Sequence, residues 1–378
     1  MRKLSCTVAM VAFASFGSLP AAAAQEGVNL YGSLEIGPGY DNIKYKKRKH
    51  ASFGLQTGVG RFGLMGTHAL GNDLSLRFTL ESGFSPASGV GVRDRMFSRE
   101  ATLGLVHARY GAIDVGRHYN FSALYTGYID PFGGGYGLSG ADTVLGSGLR
   151  LDNLVLYQTP NMGGWEGGVG YSFGVNDLAF DAESKRIAAK TGQKNFFRAS
   201  SRNRLFTAGV KYAKGPWTGA AVYDKSFRRN DATDRKNGTS IDAYVLGGAY
   251  EFEPYTVFAA FSQTFGGWLS GKNLNYMPEE DQGFRDYHYA RGFSAATGMI
   301  GVRADTGPHR FMASWQYAKP KNDRLTGHAN PFNLYALGYR YALSKRTQVK
   351  GFIAYGSQYA FIDGLSGVQA SVRIQHVF

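Results

Sequence analysis

Cysteine is almost missing from this chain. The one present, Cys6, falls within the first two dozen residues. No later stretch approaches twenty consecutive apolar residues, which excludes membrane-spanning helices. Metal-ligand spacing is also lacking. The eight histidines, His50, His68, His107, His118, His288, His309, His328 and His376, are scattered with no pair at ligand distance in sequence, so no metal site is expected. No cofactor is expected either. Gly58-Val59-Gly60-Arg61-Phe62-Gly63 has the GxGxxG spacing, but Leu64-Met65-Gly66-Thr67 continue as strand where a dinucleotide site needs a helix. The glycines suit a tightly curved strand beside Arg61. No local nucleophile motif is present, although triad members need not be neighbours, and the chain reads as a non-enzyme.

Negative charge is scarce, with 28 acidic against 42 basic residues and a formal charge of +14. Two of those cations, Arg2 and Lys3, precede the largely apolar Leu4 to Leu19 and the small residues Ala22-Ala23-Ala24. That is the layout of an export leader, expected over residues 1–24 and cleaved before Gln25. Cys6 lies ahead of the apolar run, too early for a lipidation site. The exported part, residues 25–378, then has no cysteine and no disulfide. It remains strongly basic, which suits lipid phosphate or small anions. Export argues against nucleic acid.

What the chain does have is alternation. Val28 to Ile36 places apolar residues mostly at even positions, and Leu74, Leu76, Phe78 and Leu80 alternate with Ser75, Arg77, Thr79 and Glu81. Tyr335, Leu337, Tyr339, Tyr341 and Leu343 alternate with Ala336, Gly338 and Arg340. Period two marks strands with one apolar face. Sixteen such segments are expected between residue 28 and residue 378, joined alternately by tight turns and longer loops. The loops include 41–58, 85–97, 120–148 and 175–203. An even strand number, short turns at one end and long loops at the other is the layout of a transmembrane barrel. A lipid-embedded sheet must close, because every backbone N–H and C=O needs a partner. Sixteen strands leave an aqueous channel. The fold expected is therefore an all-β, 16-stranded antiparallel transmembrane barrel in a bacterial outer membrane. Strand count and turn alternation argue against a soluble sandwich.

The third loop, about 120–148, stands apart. From Tyr119 to Arg150 the chain carries four tyrosines and two phenylalanines, and its only acids are Asp130 and Asp142. A loop this long is functional or disordered, and this composition suits one that folds inward and narrows the lumen. Two other loops are basic. Lys44, Lys46, Lys47, Arg48 and Lys49 occupy the first, and Lys185, Arg186, Lys190, Lys194, Arg198 and Arg202 the fourth. They suit contact with lipid or lipopolysaccharide phosphates, or steering of anions toward the mouth.

VNLYG at 28–32, GRFGLMG at 60–66, LESGF at 80–84, REATLGL at 99–105, DPFGG at 130–134, RLDNLVLYQTP at 150–160 and the ending RIQHVF at 373–378 together resemble the Gram-negative trimeric general porins, in their β-proteobacterial and neisserial branch. The resemblance spans the exported chain. It implies a homotrimer passing small hydrophilic solutes, with a substrate-selective channel of the same fold as the alternative. It implies a pore constriction with Arg61, Arg99 and Arg150 on the wall facing Asp130 and Asp142 on the loop. Three arginines against two aspartates, in a strongly basic chain, make weak anion selectivity the expectation. Arg77, Glu81, Arg117 and Arg340 are further lumen candidates. Simple alternation would put Arg99 on the face of Leu103 and Leu105, which a bulge could reconcile. Leu154 and Leu156 are expected to face the lumen, where polar residues are usual. Phe378 is the expected signal to the barrel-assembly machinery.

Overall fold

The computed structural model describes residues 27–58, 60–92, 95–134, 136–145, 148–175, 203–228, 240–269 and 287–378. The expected leader and the basic residues of the fourth loop lie outside them. The first strands are β1 (Gly27–Tyr45), β2 (Arg48–Thr57), β3 (Gly60–Gly71), β4 (Leu74–Phe84), β5 (Glu100–His107) and β6 (Gly111–Tyr119). After the third loop come β7 (Arg150–Gln158), β8 (Trp165–Ser172), β9 (Arg204–Lys214), β10 (Trp217–Phe227), β11 (Ser240–Phe252) and β12 (Tyr255–Leu269). The last are β13 (Tyr287–Thr306), β14 (His309–Pro320), β15 (Phe332–Ala342), β16 (Thr347–Ser357) and β17 (Leu365–Val377).

Each strand pairs antiparallel with its neighbours, and β17 pairs with β1 to close the ring. Beyond the last strand residue the seam is completed by Gly32 and Phe378, whose amides donate to each other's carbonyls at 3.0 and 3.1 Å.

Seventeen strands fill sixteen wall positions. β1 pairs with β3 over Gly27–Ser33 and with β2 over Ile36–Tyr45, so β2, which ends at Thr57, and β3, which starts at Gly60, are two lengths of one wall strand. This corrects the expectation of a loop over 41–58. There β1 runs on to Tyr45 and returns as β2, forming a hairpin with the lysines near its tip. The alternation of Asp41, Ile43 and Tyr45 continues the inward face of β1, and pairing with both β2 and β17 holds the ribbon despite its charge.

The outer face is apolar, with Leu103, Leu105, Ile113, Val115, Ile300 and Ile353 among its exposed residues. Aromatics gather in two belts. Trp165 and Tyr212 meet at 4.8 Å and Trp217 and Tyr250 at 4.4 Å near the short turns. Tyr223 and Tyr244 meet at 4.8 Å nearer the long loops. Belts of this kind mark the two membrane–water interfaces. The short turns are tight: Gly71, Asn72 and Asp73 all take left-handed φ, at 89°, 52° and 59°, where Gly and Asn are best tolerated.

The strand over Gly60–Gly71 continues through the GxGxxG spacing without a helix. The glycines there make room. A Cβ on Gly58 would lie 2.5 Å from the carboxyl carbon of Glu35, and one on Gly63 2.7 Å from the Tyr31 ring.

Candidate functional site

The chain between Tyr119 and Arg150 folds against the inside of the barrel. Its root is clamped at Asn120. The Asn120 side-chain oxygen accepts from Ala123 N at 3.1 Å, capping the short helix α1 (Phe121–Tyr125), and from Leu149 N at 3.0 Å. Asn120 N also donates to Leu149 O at 3.1 Å, so the two ends of the loop are tied together. Ser122 Oγ donates to the buried Asp224 on β10, and Phe121 N donates to Thr207 Oγ1 on β9 at 3.0 Å.

From this root the loop follows a track of wall glycines. A Cβ at Gly168 would meet Phe121 at 2.5 Å, one at Gly247 would meet Ile129 at 2.6 Å, and one at Gly301 would meet Pro131 at 2.7 Å. At Gly338 it would meet Phe132 at 2.5 Å. The missing side chains let apolar loop residues sit flush with the backbone of β8, β11, β13 and β15. Leu138 N then donates to Gln369 on β17 at 3.0 Å. On the way back, Ser139 O accepts from Gln316 on β14 at 3.0 Å, and Leu145 O from Ser262 on β12 at 3.1 Å. Leu154 and Leu156 face inward but are fully covered, in one apolar cluster with Phe121, Tyr125 and Ile129. The loop shields them from water, so polar residues are not needed there.

Asp130 departs from the expectation that it lines the acidic side of the pore. It is buried, and its carboxylate accepts from the backbone N–H groups of Phe132 at 3.0 Å, Gly134 at 3.1 Å and Ala141 at 3.1 Å. The DPFGG sequence is thus an internal staple: the aspartate folds its own loop around itself. Burial pushes its carboxyl up to about 6, against the pull of the three N–H donors. Asp142, by contrast, is partly exposed on the loop.

The three arginines carried by the resemblance form one chain of contacts. Arg61 Nε lies 3.8 Å from Glu81 Oε2, and Arg99 Nε donates to the other oxygen of Glu81. Arg99 also donates to the Tyr119 hydroxyl at 2.8 Å, and Arg150 donates to the same hydroxyl at 2.5 Å while lying over the Tyr119 ring at 4.4 Å. Arg99 reaches this inner face because Glu81 meets two consecutive residues. Its carbonyl accepts from Arg99 N at 3.1 Å, while Glu100 is its register partner. That doubled contact breaks the simple alternation.

Around this chain stand further charges. Arg77 makes a two-point contact with Asp114. Arg117 donates to Asp152 at 2.5 Å, and Arg95 grips the same carboxylate at 2.9 and 2.7 Å. Asp114 is absent from the expected lumen residues, yet it lies between the exposed Ile113 and Val115, an alternation that marks it as inward. Arg95 lies in an aperiodic stretch where no pattern could. On another part of the wall Glu35 binds Lys350 at 2.5 Å and Arg373 at 3.1 Å, and Arg340 faces inward between the outward Tyr339 and Tyr341.

Known proteins place this architecture. Residues 6–359 match the Gram-negative porin family. The whole chain aligns with the whole of an outer membrane porin of Bordetella pertussis, at 35% identity over 401 residues. The fold is similar to that of the anion-selective porin of Comamonas acidovorans, with a TM-score of 0.66 and 22% identity over 93% of this chain and 99% of that one. It is also similar to OmpT of Vibrio cholerae in its trimer form, with a TM-score of 0.59 and 14% identity over 93% and 99% of the two chains. The chain belongs to the Gram-negative porin family, as an outer-membrane channel for passive diffusion of small hydrophilic solutes.

Proposed function

We propose that Arg61, Arg99 and Arg150 are the basic side of a constriction formed with the third loop, and that they give the channel a weak preference for anions. The charge balance on the wall of β3–β7 carries this reading. Among the described residues, six guanidinium groups, on Arg61, Arg77, Arg95, Arg99, Arg117 and Arg150, stand against four carboxylates, on Glu81, Glu100, Asp114 and Asp152. Arginine stays charged at any working pH. A narrow aqueous passage with low-dielectric walls focuses that excess. The Debye length is about 8 Å at ~0.15 M salt, so the bias persists there and fades near ~1 M. The loop opposes it with Asp142, since Asp130 is turned into the loop. The Comamonas porin of similar fold is described as anion-selective.

Reversal potentials under a salt gradient test this reading. Wild type is expected to favour chloride. Arg61→Ala and Arg150→Ala are each expected to lower that preference and enlarge the single-channel conductance. A cation-selective wild type, or a preference that neither change moves, would show that the constriction lies elsewhere.

The same reading makes the assembled protein a homotrimer of three separate pores, in line with the trimer form of the Vibrio relative. It has no catalytic role. Residues 1–24 act as the export leader and residues 25–378 as the porin domain. Phe378 serves as the assembly signal, and its deletion is expected to reduce the yield of folded, heat-modifiable oligomer. An undiminished yield would remove that role.

A further inference from the structure

A second set of cations lies away from the Arg61–Arg150 chain. Arg310 on β14 is the register partner of Arg340 on β15, Arg340 of Lys350 on β16, and Lys350 of Arg373 on β17. All four alternate with lipid-facing residues such as Phe311, Ile353 and Val372, so they share the inner face. Like charges directly opposite one another on paired strands are destabilising. Four in succession therefore oppose folding unless counter-charge relieves them.

The relief is partial and uneven. Glu35 serves Lys350 and Arg373 together, and Asp305 serves Arg310 at 2.5 Å and Arg303 at 3.0 Å. Arg340 forms no ion pair among the described residues, and its buried Nε has no hydrogen-bond partner. Arg303 and Arg310 thus share the Asp305 carboxylate, with Glu251 on β11 two strands from Arg303, and Arg340 contacts neither.

The row is also stepped. Counting from the short-turn ends of their strands, Arg310 is second, Arg340 third, Lys350 fourth and Arg373 fifth. Lys350 meets the third loop, over the Tyr136 ring at 4.7 Å, and Arg373 lies over the ring of Phe352 on β16 at 5.1 Å. The lower steps end at the short-turn mouth.

We propose that Arg340 and Arg310, with Arg303 beside them, form a weak binding site for small oxyanions at the short-turn mouth. It is a second stop for anions that have passed the constriction. Guanidinium groups match phosphate and carboxylate oxygens in two-point geometry. A visiting anion would supply the counter-charge that the wall withholds from Arg340. The site rests on the reading of the channel as anion-favouring and extends it to a ligand class.

The test uses the full-length porin in planar bilayers, with inorganic phosphate added on the short-turn side. Wild type should show a saturable reduction of chloride current. Arg310→Gln/Arg340→Gln should weaken the apparent phosphate affinity by about tenfold and leave the sign of the reversal potential unchanged. The double variant relieves repulsion, so its unfolding midpoint should not fall. Should it fail to fold, Arg340→Gln alone keeps the Arg310–Asp305 pair and should weaken phosphate by a smaller factor. Absence of a phosphate effect in wild type, or an affinity that the variants leave unmoved, would overturn the site. A cation-selective wild type would instead overturn the constriction reading, so the two failures are distinguishable.

Discussion

Glu35→Ala is expected to destabilise the barrel by about 3–5 kcal/mol, the cost of leaving a buried charge uncompensated. Here two cations lose one shared partner. Lys350 and Arg373 side chains are only 4% and 6% exposed, and both lean on the Glu35 carboxylate at the seam where β1, β16 and β17 meet. Arg373 keeps Gln56 Oε1 at 3.2 Å, which softens its loss, whereas Lys350 is paired with the carboxylate itself and lies over the Tyr136 ring. Glu35→Gln should lose less, since an amide oxygen still accepts one bond. Adding Lys350→Met to Glu35→Ala should recover part of the deficit, a coupling expected of groups in contact. Denaturant unfolding of the detergent-solubilised porin, followed by gel mobility, reads all three. A midpoint unmoved by Glu35→Ala would mean that lumen water solvates both cations.

The second large effect is expected at Asp130. Asp130→Ala removes the acceptor for three backbone N–H groups at once, each costing roughly 1–3 kcal/mol if left buried and unpaired. The tip from Pro131 to Ala141 should leave its glycine seats, and single-channel records should show higher and noisier conductance. pH should modulate wild type in a defined direction. The folded carboxyl titrates near 6, above the ordinary value of 3.8. Between those values the seated loop holds a proton that the released loop gives up. The seat is therefore tightest below about pH 4, weakens as pH rises to about 6, and is level above. Asp130→Asn cannot titrate and should abolish that slope. Open-channel noise recorded from pH 4 to pH 8 tests this, and a wild-type slope of the opposite sign would contradict it.

Much of this was legible because strands in lipid leave few choices. Leu34 and Ile36 bracket Glu35, and Phe62 and Leu64 alternate with Arg61, so period two turns both charges inward without coordinates. The charged residues at 44–49 misled because polarity looks like a loop end, yet a ribbon paired on both sides tolerates it. Arg99 was ambiguous because the doubled contact at Glu81 shifts the alternation by one. Asp130 was misread for a different reason. Sequence shows a carboxylate on a loop, but only the turn at Pro131 to Gly134 shows that it points back into that loop. Arg95 carried no signal at all, since its place depends on a distant carboxylate, Asp152.

The seam has a consequence for timing. The first and last strands are neighbours, and the final hydrogen bonds of the ring join Gly32 to Phe378. β1 pairs on one side with the next segments, β2 and β3, but on the other side it must wait for β17, nearly the whole chain away. Until then its edge is open, and an open edge is not tolerated in hydrocarbon. A chain that lacks β17 therefore lacks the partner that closes the ring. Closure of the wall thus depends on the carboxy-terminal strand.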